Sequence, residues 1–326
     1  MITKNEKDIP NMPWEECPKG CFDPVWRSAN NPIIARNPCG KFARIFNSAV
    51  VPFEGGFVGV FRAEDRSGIP HLYLGKSKDG LHYQFDDKPI RFVDEEGKDA
   101  FSHYQYDPRL VEIGGSYYIT WCDDFYGPAL AIAETKDFMT FVKYNHPYLP
   151  FNRNGVLFPR KIKGEYVMLS RPSDSGHTAF GDIFLSRSKD LRYWGNCDHV
   201  MERGWEWWNL TKIGAGCNPI ETSEGWLLIF HGVTNTCNGF VYSFGGALLD
   251  LENPAKVLYR STDYFLTPEK EYETTGFVPN VCFPTSALVD QKSGRIAIYY
   301  GAADTSTCLC FSTIERLVNY TKEHAR

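Results

Sequence analysis

The sequence has no long apolar run. No stretch approaches the roughly 20 consecutive apolar residues that a membrane-spanning helix needs, and the opening MITKNEKDIPNMPWEE has no apolar segment of the secretory kind. The expectation is therefore a protein that neither crosses nor is anchored to a membrane and that works in the cytoplasm. Lys/Arg-rich blocks are also lacking, and the net charge is −5. Both argue against a nucleic-acid partner, which would demand a basic groove. There is no CxxC pair among the ten cysteines, and their spacings fit no zinc site. A disulfide framework is one reading of them. Without an export signal, reduced thiols serving as small core residues is the better one, and on that reading Asn209-Leu210-Thr211 and Asn319-Tyr320-Thr321 match the glycosylation pattern by accident. Finally, no long segment has 3.6-residue apolar periodicity, which excludes interleaved helices and a parallel sheet.

What is present is apolar and aromatic. Residues of the AVILMFWYC set make up 43% of the 326, and Phe, Trp and Tyr 15%, ample for a large packed core and far from the composition of a disordered chain. Two patterns alternate along it. One is a polar turn with Gly followed by a short apolar strand: EGGFVGVFR (54–62), GGSYYITWC (114–122), KGEYVMLSR (163–171), EGWLLIFHG (224–232) and SGRIAIYYG (293–301). The other is an apolar strand running into a polar turn and a half-aromatic stretch: HLYLGKSKDGLHYQF, ALAIAETKDFMTFVKY, DIFLSRSKDLRYW and, more loosely, GGALLDLENPAKVLYR and CLCFSTIERLVNY. Each pattern occurs five times, in units of roughly 50 to 65 residues with room for about four strands, which matches the blades of a propeller. A β-sandwich would not explain the fivefold recurrence. The reading is an all-β, five-bladed β-propeller, one domain over 1–326. The Pro- and Asn-rich arm of about residues 1–45 would contain a strand that closes the ring and reach toward a neighbouring subunit. A short helix is expected in ERLVNYTKEHAR.

In a propeller the ends of the innermost strands line one mouth of a central channel. Polar residues just before and just after the Gly-led strands therefore converge: Asn47, Ser48, Arg62, Asp65, Asp107, Arg153, Arg171, His177, Lys212, His231 and Asp304. Each also has a structural reading. Asp107 precedes Pro and suits a turn, Arg62 and Asp65 could form an internal salt bridge, and His231 could be a satisfied core histidine. Arg153 and Arg171 are harder to dismiss, because two guanidiniums at one mouth suit a tetrahedral oxyanion. The Asp-rich WCDD (121–124) lacks the ligand spacing of a calcium loop, so no metal is expected.

The strings FNSAVVPF, YDPR, PFNRNGVLFPRK, MLSRPSDSGHTAFGDIF, TKIGAG, VYSFGGALLDL, VPNVCFP and RIAIYYGAADT resemble the inverting β-mannoside phosphorylases of glycoside hydrolase family 130. The resemblance runs from about residue 14 to 320 and is nearest the branch acting on β-1,4-mannosyl-N-acetylglucosamine and β-1,4-mannooligosaccharides. It implies a five-bladed propeller and reversible phosphorolysis with inversion, giving α-mannose 1-phosphate. It implies Asp107 as the catalytic acid; Ser48, Arg153, Arg171, His231 and Tyr242 around phosphate; and Asn47, Arg62, Asp65, His177, Lys212, Phe283 and Asp304 around the sugars. It further implies phosphate as co-substrate, no organic cofactor, and a homo-oligomer. An ordinary inverting hydrolase needs a second carboxylate to activate water. Phosphate is already nucleophilic at neutral pH, so a phosphorylase needs cations in that place. Two alternatives stay open: a propeller hydrolase acting without phosphate, and a non-catalytic sugar-binding propeller.

Overall fold

The structure, a computed structural model, describes residues 8–173 and 181–325. Five sheets follow one another along these residues, antiparallel except for the outermost pair of the second, where Phe92–Val93 runs parallel to Phe141–Lys143; each starts on the strand nearest the centre: Arg44–Phe53, Gln105–Ile113, Asn152–Leu157, Lys212–Ala215 and Cys282–Asp290. These first strands touch across the ring. Each sheet then runs outward by hairpins, so the Gly-led pattern is the second strand of each blade and the half-aromatic pattern begins with the third. The turns explain the glycines. Lys163-Gly164 and Gly114-Gly115 both occupy left-handed backbone, as two-residue hairpins matching the strand twist require. In the first blade that role falls to Gly55, while Gly56 opens the strand.

The expected closing strand is Trp26–Arg27, which pairs antiparallel with Ser306–Thr313 and covers the outer edge of the fifth blade. The arm lies on that blade, with Trp14 edge-on to Trp26 and Phe311 at 5.5 and 5.7 Å. The expected helix is Ile314–Glu323; the Thr313 hydroxyl accepts from the Arg316 amide at its start. Its buried Ile314, Leu317 and Val318 pack between blades four and five, each worth about 2 kcal/mol of burial. The core as a whole lies between blades: five apolar clusters each join adjacent sheets. Both faces of a blade are therefore covered, and its strands read as nearly continuous apolar runs. All ten cysteines are free thiols; Cys122, Cys217, Cys282, Cys308 and Cys310 are buried in the core role expected of them, whereas Cys17 and Cys21 are half-buried and Cys39, Cys197 and Cys237 are exposed.

One irregularity recurs where the chemistry would sit. The pairing of first and second strands slips between Phe46 and Ser48, Tyr106 and Arg109, Arg153 and Val156, and Pro284 and Ser286. In the first three bulges a polar residue takes left-handed backbone: Asn47 at φ 50°, Asp107 at 54° and Asn154 at 53°. Asn and Asp tolerate this conformation better than other non-glycine residues, and a bulge re-aims a side chain that the strand's alternation would otherwise send into a sheet face. The opposite mouth is different. A cavity of about 380 Å³ there is walled by Val50, Leu110, Ile220 and Leu288 with Ile9 beside them, and it contains none of the candidate groups.

Candidate active site

Asp107 sits at the bulge of the second blade, and its neighbours come from the first. Its Oδ1 accepts from Asn47 Nδ2 at 2.7 Å and from Arg62 NH1 at 3.1 Å. Asn47 needs room to reach it: a Cβ on Gly301 would lie 1.8 Å from Asn47 Oδ1. Arg62 gives its Nε and NH2 to Glu64 Oε1 at 2.9 and 2.7 Å, and Arg44 binds the other oxygen of Glu64. Asp304, at left-handed φ 45° beyond the second strand of the fifth blade, completes this group. Burial pushes its carboxyl up to about 6; the Arg62 charge opposes the shift and Asp107 adds to it. The first, second and fifth blades thus build an acidic half of the mouth around one guanidinium.

The third and fourth blades build the other half. Arg153 and Arg171 face each other across their strand pair. Arg153 donates to the hydroxyls of Tyr106 and Ser173, both at 3.2 Å. Arg171 is 5% exposed. Its NH1 donates to His231 Nε2 at 2.9 Å, while its Nε has no partner among the described residues. Burial, with the Arg153 charge beside it, brings the Arg171 guanidinium down to about 10. Lys212 falls to about 8 through burial and the charges of Arg171 and Arg153. His231 is fully buried and held well below the usual histidine range by burial and by Arg171, Arg109 and Lys212. It is therefore a neutral imidazole accepting on Nε2. Phe283 packs on its ring at 4.6 Å. Tyr242 stands between the halves, near enough to feel both Arg171 and the carboxylates of Asp304 and Asp107.

The halves differ in charge balance. Among the described residues no carboxylate bonds Arg153, Arg171 or Lys212. Buried cations without a partner cost several kcal/mol each, and an unpartnered guanidinium N–H adds to that. Such a group is stable when an anion with several acceptor oxygens occupies it. Planar guanidiniums with an ammonium suit a tetrahedral oxyanion.

Most of the residues singled out from the sequence meet here: Asn47, Arg62, Asp107 and Asp304 on one side, Arg153, Arg171, Lys212, His231, Tyr242 and Phe283 on the other. Ser48 lies beside Asn47, fully buried, with its hydroxyl unpartnered. His177 lies outside the described residues. Asp65 needs correction. The salt bridge to Arg62 is made by Glu64, whereas Asp65 is exposed past the strand end and accepts from the Ser67 amide and hydroxyl, which hold its carboxyl below the usual range. Alternation along a strand puts residues 62 and 64 on one face and 65 off it. That signal was available in FRAED. Other groups escaped notice. Arg109, 1% exposed, binds the carbonyls of Asp107 and Pro108 at 3.1 Å each and that of Gly216 in the fourth blade, pinning the bulge that presents Asp107. Tyr106 anchors Arg153. Asn154 approaches His231, and a Cβ on Gly214 would strike both. The aligned FNS, YDP and RNG triplets were the clue to the bulges. Asp123 of the WCDD string is engaged by Lys143 and by His146 at 3.0 Å.

Five sheets in a ring, with Asp107 and Asp304 opposite cations that no described carboxylate bonds, suit a propeller enzyme of the carbohydrate-active type. The chain belongs to glycoside hydrolase family 130: the family model, described as beta-1,4-mannooligosaccharide phosphorylase, matches residues 5–323. It is 50% identical over 332 residues to the beta-1,4-mannooligosaccharide phosphorylase of Ruminococcus albus, covering 98% of each chain. It is 33% identical over 265 residues to the beta-1,2-mannobiose phosphorylase of Listeria innocua, covering 80% of this chain and 71% of that one. The solved structure of a Listeria innocua beta-1,2-mannobiose phosphorylase with beta-1,2-mannobiose superposes with a TM-score of 0.81 at 26% identity, over 91% of this chain and 99% of that one.

Proposed function

We propose that this protein cleaves β-1,4-linked mannosides with inorganic phosphate, inverting the anomeric centre to give α-mannose 1-phosphate and a shortened acceptor sugar, reversibly. The observation that carries the reading is the uncompensated cluster of Arg153, Arg171 and Lys212 opposite Asp107. Phosphate held there by both arginines, with the Tyr242 and Ser48 hydroxyls and the neutral His231, approaches C1 from the face away from the leaving oxygen. Asp107 gives its proton to that oxygen as the C1–O bond breaks and the C1–O–P bond forms. The resulting hydrogen phosphate ester then returns a proton to the carboxylate. Phosphate fills the place of the water and base of an inverting hydrolase. Positioning and charge supply most of the catalysis. Asn47, Arg62 and Asp304 hold the mannosyl hydroxyls, and Phe283 walls the leaving sugar. Asp65, exposed in its turn, stands outside this set. The similarity to the Ruminococcus albus enzyme favours mannooligosaccharides over mannosyl-N-acetylglucosamine as substrate.

A hydrolase would use Asp304 as base. Asp304 and Asp107 share Arg62, which puts them in one half of the mouth rather than on opposite faces of a sugar, and this disfavours it. Incubation of β-1,4-mannobiose and mannotriose with and without phosphate tests the reading. Release of α-mannose 1-phosphate only with phosphate is expected; undiminished release of mannose without it overturns the proposal. Synthesis from α-mannose 1-phosphate against mannose, glucose and N-acetylglucosamine would name the acceptor. The reading requires no metal or organic cofactor. A single catalytic unit spanning 1–326, a cytoplasmic location, where a phosphorylated sugar is retained and used, and a homo-oligomer go with it. Light scattering tests the last.

A further inference from the structure

Asp107 is not held by Arg62 alone, because Arg62 is itself held. Glu64 is 1% exposed. Its Oε1 takes two N–H groups of Arg62 and its Oε2 two of Arg44, so the carboxylate is saturated by two guanidiniums. Arg44 is in turn stacked under Phe277, 3.8 Å from the ring centre. What remains of Arg62 is NH1, which reaches Asp107 Oδ1, the oxygen that Asn47 also occupies. Among the described residues no protein donor reaches Oδ2. An oxygen receiving two N–H donors is a poor site for a proton, which leaves Oδ2 as the oxygen from which a proton can be given.

We infer that Glu64 is a positioning residue for the proton transfer: it fixes Arg62 so that only one N–H reaches Asp107, and its negative charge limits how strongly Arg62 favours the ionised carboxylate. A general acid must hold its proton in the free enzyme at the working pH, and a bare guanidinium at 3 Å works against that. The inference rests on the phosphorolysis reading. Besides Arg62, the groups facing Asp107 are Asp304, Tyr106, Arg109, Cys122, Arg171 and Tyr242. All are left in place by the variants below.

The test is the pH dependence of kcat/KM for a β-1,4-mannooligosaccharide at saturating phosphate, a condition that removes the Lys212 titration. In Glu64→Gln the alkaline limb should move down by about one pH unit. Arg44→Gln, which leaves all of Glu64 to Arg62, should move it up. A uniform loss across pH, with the limb unmoved in either variant, overturns the inference, since a merely structural role would produce it. Should Glu64→Gln not fold, Arg44→Gln decides alone. Asp107→Asn is the control. If it retains turnover, or if wild-type turnover does not need phosphate, the functional reading fails. If both controls behave and the limbs stay, only the role of Glu64 fails.

Discussion

The two halves of the central mouth are built from the same element, the start of an innermost strand paired with the end of the second, yet they end in opposite electrostatic states. In the acidic half a chain of ion pairs runs from Arg44 to Glu64, to Arg62 and to Asp107, and Asp304 lies within reach of the Arg62 charge. In the cationic half Arg153 and Arg171 find hydroxyls and an imidazole, and among the described residues Lys212 meets aromatic faces, Phe240 at 5.0 Å and Tyr242 at 5.6 Å. A half that is complete on its own holds a group in place for a task. Where no described carboxylate meets the cations, an anionic ligand is the counter-charge that the proposed reading supplies.

Asp107→Asn probes the complete half and should have the largest effect, a loss of about 100- to 10,000-fold in kcat. Phosphate affinity, read by calorimetry, should be nearly unchanged; if phosphate binding collapses as well, the halves are not separate. Arg171→Lys probes the other half. It keeps a charge but loses the planar fork and the bond to His231, so the phosphate KM should rise about 10- to 100-fold with a smaller change in the mannoside KM. Equal changes in both would erase the division.

The remaining effects depend on pH. Lys212 is brought to about 8 in the free protein, and a bound phosphate dianion raises it again. Phosphate affinity should therefore be insensitive to this group below pH 8 and weaken above it, by at most about tenfold per pH unit. Lys212→Met should remove that slope. Asp304 works the other way on stability. Its carboxyl stands at about 6 folded against 3.8 for the unperturbed group, so the folded state binds the extra proton between those values. The cost of ionising it is fully present above pH 6 and vanishes as pH falls below 3.8. Asp304→Asn should then raise stability at pH 7.5 by up to about 3 kcal/mol while turnover falls, and the gain should disappear near pH 4 in urea unfolding. A variant equally stable at both values would show that the Arg62 charge already satisfies Asp304.

Much of this architecture was legible in the residues. The fivefold alternation of Gly-led and half-aromatic strands determined blade number, the identity of the second and third strands, and thereby which residues share a mouth. A closing strand in the arm and a helix in ERLVNYTKEHAR followed from what the repeat left over. Within the site, the family strings marked Asp107, Arg153 and Arg171. The choice between Asp65 and Glu64, the pinning of the Asp107 bulge by Arg109 and the approach of Asn154 to His231 were not read. The first was available in the alternation of FRAED; the other two depend on where side chains point around bulges and across blades.

The sequence by itself therefore determined the repeat, the core and the set of polar residues gathered at one mouth, because apolar periodicity and turn chemistry act locally along the chain. Only the tertiary structure decided how those residues divide. Which cation meets a carboxylate, and which is left without one, depends on bulges and on contacts between blades far apart in the chain. That division separates an acid paired with Arg62 from a cluster of cations that no described carboxylate bonds.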